Sequence, residues 1–87
     1  MELTQQFEAA VANSKTLSEK PDNETLLALY SLYKQATEGD CKPEQAPSNP
    51  FDFVAKFKFE AWSKLSGTAA ADAMQQYIQL VNKLKGA

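Results

Sequence analysis

Four stretches of this chain carry apolar residues at helical spacing, and turn-forming residues separate them. That pattern restricts the fold to packed helices. In the first stretch Leu3, Phe7, Ala10, Val11 and Ser14 fall at i, i+4, i+7, i+8 and i+11. They form one face of a helix that ends near residues 15–17, with Thr4 or an earlier residue as its cap. The second runs from about residue 23 to 37, after Pro21 and before Gly39. Asp22 or Asn23 offers a side-chain oxygen to its first turn, Glu24 suits the positive end of the helix dipole, and Gly39 is the stop. It is apolar nearly all round, with Leu26, Leu27, Leu29, Tyr30, Leu32 and Tyr33. This fits a central helix buried on several sides, and it fits equally a helix with one stripe facing a ligand.

The third stretch starts near Asp52 and reaches about Leu65. Val54, Phe57, Ala61 and Leu65 share a helical face with Trp62 beside it, and Lys58 interrupts that face. Phe51, Phe53, Phe57 and Phe59 are all odd-numbered, which would suit a strand. The length of the run and the Ala, Lys and Glu between the rings favour a helix. The fourth follows the turn Ser66-Gly67-Thr68, with Thr68 as the candidate cap. Ala73, Met74, Tyr77, Ile78, Val81 and Leu84 make its apolar face, with Asp72 early and Lys83 and Lys85 late, as the dipole prefers. The expectation is an all-α four-helix bundle forming one domain over residues 1–87.

Composition narrows the function. The chain has nine Lys, no Arg and eleven acidic residues, a net charge of −2. Readers of nucleic acid carry a basic surplus and use Arg, so nucleic acid is not an expected partner. There is no His, which removes the usual general base and the usual metal ligand. Cys41 is the single cysteine and has no His partner, so neither a disulfide nor an activated nucleophile is expected. No metal-ligand spacing and no Gly-rich phosphate loop occurs. The expectation is therefore a binding protein rather than an enzyme, without catalytic residues, metal or cofactor. The N-terminal residues lack a basic segment followed by an apolar run, and no stretch approaches the ~18 apolar residues of a membrane span. A cytoplasmic monomer without stable membrane insertion is expected.

Two constellations could still carry recognition. On a helix Tyr30, Tyr33 and Lys34 share a face at i, i+3 and i+4. Two phenols and an ammonium could stack on a base and meet a phosphate, or they could be core tyrosines beside a surface charge. Lys56-Phe57-Lys58-Phe59-Glu60-Ala61-Trp62 interleaves Lys with aromatic rings. It suits an anionic, partly apolar ligand, and it suits an amphipathic helix with solvated Lys. Tyr77 reads as a core residue, and Lys15 as a partner of the first helix's C-terminal dipole.

Longer strings resemble a known family. Leu29-Tyr30-Ser31-Leu32-Tyr33-Lys34-Gln35-Ala36-Thr37-Glu38-Gly39-Asp40 is similar to the Y-x-x-Y-K-Q-A-T-x-G-D signature of acyl-CoA-binding proteins. Lys58-Phe59-Glu60-Ala61-Trp62 resembles their K-W-x-A-W segment. Gly67-Thr68, Asp72-Ala73-Met74 and Tyr77-Ile78 resemble G-T-x-x-x-D-A-M-x-x-Y-I. Phe7, Val11, Lys15, Leu17 and Pro21 fall in register with the N-terminal part. The resemblance implies an up-down-down-up bundle with an open bowl that holds medium- to long-chain acyl-CoA thioesters without chemistry. It implies that Tyr30, Lys34 and Lys58 serve the adenosine 3′-phosphate and its surroundings, with Tyr33 and Tyr77 beside the nucleotide. Lys15 matches a further ligand contact, and Leu26 would line the path of the acyl chain. Two features depart from the pattern. Pro47-Ser48-Asn49-Pro50-Phe51 replaces a shorter Gly-containing turn, and Phe59 stands where Trp is usual. The longer loop is expected to border the bowl and bear on acyl-chain preference.

Such residues suit such a ligand. An ammonium ~4 Å from a phosphate is worth roughly 4 kcal/mol at an effective dielectric of about 20, before desolvation. Each methylene removed from water adds up to about 0.8 kcal/mol. The alternative is a helical interaction bundle with weak or no acyl-CoA binding, for which the altered loop and the broad apolar surface of the second helix speak.

Overall fold

The computed structural model describes residues 2–17 and 19–86. Helices α1 (Leu3–Ser14), α2 (Asn23–Glu38), α3 (Phe53–Ser63) and α4 (Ala70–Gly86) are joined by loops, one of which holds a short 3₁₀ turn at Pro43–Gln45. The ring-rich third stretch is a helix, as its length and Ala/Lys/Glu content require.

Local chemistry sets the boundaries. The Thr25 N–H donates to Asp22 Oδ1 at 2.8 Å, so Asp22 rather than Asn23 caps α2. Asp52 does the same for α3, accepting from the Ala55 N–H at 3.1 Å. Gly39 ends α2 at φ +82°, where a side chain would be strained. Of the two alternatives at α1, the cap position falls to an earlier residue than Thr4, Glu2, which makes no side-chain capping bond. The expected cap of α4 differs. Helix α4 begins at Ala70, two residues beyond Thr68. The carbonyl of Thr68 is instead engaged by Gln35.

Contacts between ends give the directions. Leu3 and Gln6 lie by Gln75 and Ile78, and Thr16 and Leu17 by Leu84 and Lys85, so α1 and α4 run parallel. Phe7 stacks on Tyr33, joining early α1 to late α2, which makes them antiparallel. Leu27 near the start of α2 faces Val54 at the start of α3, and Trp62 near the end of α3 bonds to Gly39, so α2 and α3 run together. The order is up-down-down-up.

The core belongs to α1, α2 and α4. Phe7 and Ala10, Leu29, Leu32 and Ala36, and Ala73, Tyr77 and Val81 form one buried cluster. Ala10, Ala36 and Ala73 let the helices approach closely. The Tyr77 ring meets Phe7 edge-on at 5.1 Å. Helix α3 adds nothing to that cluster, and Trp62 is its one buried residue. It packs on α2 beside the core rather than over it, giving a slab of 39 × 28 × 16 Å. Tyr33 of α2 and Val54 and Phe57 of α3 stay exposed, so this side of the bundle is an open face.

Candidate ligand-binding site

Tyr30 stands at the centre of the open face. It is half-buried on α2, with Lys58 Nζ of α3 5.1 Å from its ring centroid and Lys34 Nζ 6.0 Å from it. Each ammonium is drawn to the ring quadrupole, by about 0.5–1 kcal/mol at exposed sites. Two cations from different helices thus converge on one phenol. Lys58 is exposed and has no ion-pair partner among the described residues.

A cavity of about 330 Å³ opens on one side of Tyr30. Tyr30, Tyr33 and Tyr77 supply its aromatic walls, Lys15 stands at its rim, and Leu26 and Leu29 line its apolar part. Tyr33 keeps 41% of its surface exposed although it stacks on Phe7, with centroids 5.9 Å apart. Tyr77 is buried, and its hydroxyl donates to Ser14 Oγ at 3.1 Å, which in turn donates to the Val11 carbonyl at 2.7 Å. Tyr77 therefore serves core and cavity at once.

A larger groove of about 640 Å³ lies between the N-terminal halves of α2 and α3. Leu26, Leu27, Val54 and Phe57 line it, with Lys58 at its edge. Leu26 lines both depressions, so the tyrosine cavity and the apolar groove adjoin at that residue. The helical face of Val54 and Phe57, legible as apolar, is turned to this groove. Val54 stays 63% exposed and Phe57 55%, so the groove is lined by apolar surface that the fold leaves open.

Of the seven sequence-selected residues, Lys15, Leu26, Tyr30, Tyr33 and Tyr77 share the first cavity, and Lys58 joins Leu26 at the second. Lys34 lines neither. Its ammonium reaches Glu38, one turn on, and lies 5.4 Å from the Trp62 ring. Glu38 raises the pKa of Lys34, chiefly through that hydrogen bond. Lys34 thus keeps the side of α2 that carries Tyr30, its ammonium 6.0 Å from that ring, but it stands beside the cavity that both phenols line.

The long loop is also placed differently. Ala46, Pro47, Ser48 and Pro50 form a separate depression with Lys56, Phe59 and Glu60. At 100° per residue those α3 positions lie opposite Val54, Phe57 and Lys58. The loop backs the outer face of α3 rather than the bowl, and Phe59 goes with it.

A family model described as "Acyl CoA binding protein" matches residues 4–81. The acyl-CoA-binding protein of Dictyostelium discoideum is 41% identical over 78 residues, 90% of either chain. The acyl-CoA-binding protein homolog of Manduca sexta is 40% identical over 84 residues, 97% of this chain and 92% of that one. The chain belongs to the acyl-CoA-binding protein family. The crystal structure of Oryza sativa Acyl-CoA-Binding Protein 2 has the same fold, with a TM-score of 0.86 at 36% identity over 95% of this chain and 90% of that one. Enoyl-CoA delta isomerase 2 of Rattus norvegicus is 46% identical over 85 residues, but the chain spans only 21% of its length.

In this member of the family the site is braced by residues that sequence reasoning passed over. Gln35 is fully buried. Its Nε2 donates to Asp40 Oδ1 and to the Thr68 carbonyl, both at 2.8 Å, and the Gly67 N–H donates to the same Asp40 oxygen at 2.9 Å. The end of α2 is thereby tied to the turn before α4, one residue from Lys34. The Gly67 and Gln35 bonds hold the Asp40 carboxyl below its ordinary pKa. Spacing alone puts Gln35 beside Ser31 and Leu32, one turn back, but does not name the partners of a polar side chain there.

Burial pushes the Cys41 thiol pKa up, away from a reactive thiolate. Among the described residues no group of three His, Cys, Asp or Glu could hold a metal ion. No helix among them is long and apolar enough to cross a membrane.

Proposed function

We propose that this chain binds medium- to long-chain acyl-CoA thioesters non-covalently and carries them as a cytoplasmic monomer, one domain, without catalysis, cofactor or metal. The observation that supports it most is that a tyrosine cavity with Lys15 in its lining and an open apolar groove adjoin at Leu26. The two halves match an anionic nucleotide and a hydrocarbon chain. In this reading Tyr30, Tyr33 and Tyr77 face the nucleotide, Lys15, Lys34 and Lys58 meet its phosphates, and Leu26 leads the chain toward Phe57. The names of the family and of the relatives support the choice of ligand.

Calorimetric titration with acyl-CoAs of increasing chain length, free coenzyme A and a free fatty acid tests it. Affinity is expected to rise with chain length until the groove is filled, by up to about 0.8 kcal/mol per methylene. Absence of binding by every thioester refutes it. A second reading, an interaction bundle, is favoured by Phe51 and Phe53, which are 80% and 59% exposed beyond the groove. It predicts a protein partner that binds this end and is indifferent to acyl-CoA.

A further inference from the structure

The Lys34–Glu38 pair is the one ion pair among the described residues of a chain with nine lysines. Helix stability accounts for little of it. Glu38 is the last residue of α2, where a carboxylate opposes the helix dipole. The order Lys then Glu at i, i+4 is the weaker orientation of such a pair. What the pair does do is occupy the ammonium beside Tyr30. The Lys34 side chain is 27% exposed and that of Glu38 42%, so water and an incoming anion can reach both. Lys15 and Lys58 have no such partner among the described residues. Glu38 also falls at the one position between Lys34 and Asp40 that the family string leaves open.

We propose that Glu38 is a built-in competitor for the ligand phosphate at Lys34. Its carboxylate satisfies the ammonium in the free protein and must yield when a phosphate arrives. Lys15 and Lys58 are ready cations, and Lys34 is a latched one, so Glu38 sets head-group affinity below what three free lysines would give. The proposal rests on the acyl-CoA reading.

The test is calorimetric titration of palmitoyl-coenzyme A into the wild type, Glu38→Gln, Lys34→Ala and the double variant at low ionic strength. A surface pair of this kind shifts an equilibrium about two- to fivefold. Glu38→Gln is therefore expected to bind two- to fivefold tighter, with a melting temperature equal or higher. In the Lys34→Ala background the same substitution should change affinity by less than about 1.5-fold, because the latch has already gone. Equal or weaker binding by Glu38→Gln overturns the proposal while leaving the acyl-CoA reading intact. An equal gain in the Lys34→Ala background also overturns it, since Glu38 would then act by general repulsion. If neither the wild type nor Glu38→Gln binds palmitoyl-coenzyme A, the functional reading fails and takes the proposal with it.

Discussion

Helices α1, α2 and α4 meet through Ala10, Ala36, Ala73, Val81 and the Phe7–Tyr77 ring pair, all buried, whereas α3 is anchored by one indole. Trp62 is 3% exposed and donates through Nε1 to the Gly39 carbonyl at 2.9 Å. The rest of α3 leaves Phe53, Val54 and Phe57 more than half exposed. A small chain has little apolar surface to spare, so leaving this much unburied trades fold stability for an open groove. The part built from α1, α2 and α4 makes the protein stable, and α3 makes it a receptacle.

That division can be broken most forcefully at Trp62. Trp62→Ala is expected to cost about 3–5 kcal/mol in denaturant unfolding, and amide exchange should show α3 released first. Phe53→Ala, on the same helix, should stay within about 0.5 kcal/mol. Equal losses for the two would mean that α3 is integrated in the core after all.

Substitutions in the site sharpen the contrast further. Lys58→Ala removes a charge-assisted contact of about 1.5–3 kcal/mol, so free coenzyme A and acyl-CoA should both bind at least tenfold more weakly. Phe57→Ser should weaken long-chain acyl-CoA by about 1–2 kcal/mol and leave free coenzyme A unchanged. Neither should move the thermal melt by more than a few degrees. If Phe57→Ser weakens both ligands alike, the division into head and chain subsites is wrong.

The smallest effect concerns acid. The Gly67 and Gln35 bonds lower the Asp40 pKa from its ordinary 3.8, so the folded state favours the carboxylate. The stability this gives is complete above 3.8 and is lost as pH falls through the lowered folded value. Asp40→Asn should remove that part of the acid slope in a melting-temperature series from neutral to low pH. An unchanged slope would show that the tie between α2 and the turn before α4 does not depend on charge.

Why some of this was legible from residue order and some was not follows from these particulars. Helix periods, the Asp22 and Gly39 boundaries and the clustering of tyrosines are local properties, and they survived folding intact. Val54 and Phe57 declared an apolar face, but periodicity does not tell whether such a face meets another helix or stays open. Gln35 was hidden because a polar residue on a buried stripe makes sense only once Asp40 and Thr68 are brought beside it. The loop of residues 47–50 backs α3 away from the bowl it is expected to border, because no local signal states the side on which a connection returns. Glu38 was the readable omission: its spacing from Lys34 is the i, i+4 of a helical ion pair.

Trp62 is the chain's only tryptophan. Its ring is buried and lies 5.4 Å from the Lys34 ammonium. The protein thus contains its own optical gauge. An anion that draws Lys34 aside alters the electric field across a single, hydrogen-bonded indole, so occupancy of the head-group end can be followed by intrinsic emission without a label. Hydrocarbon settling by Phe57 should leave that signal almost silent.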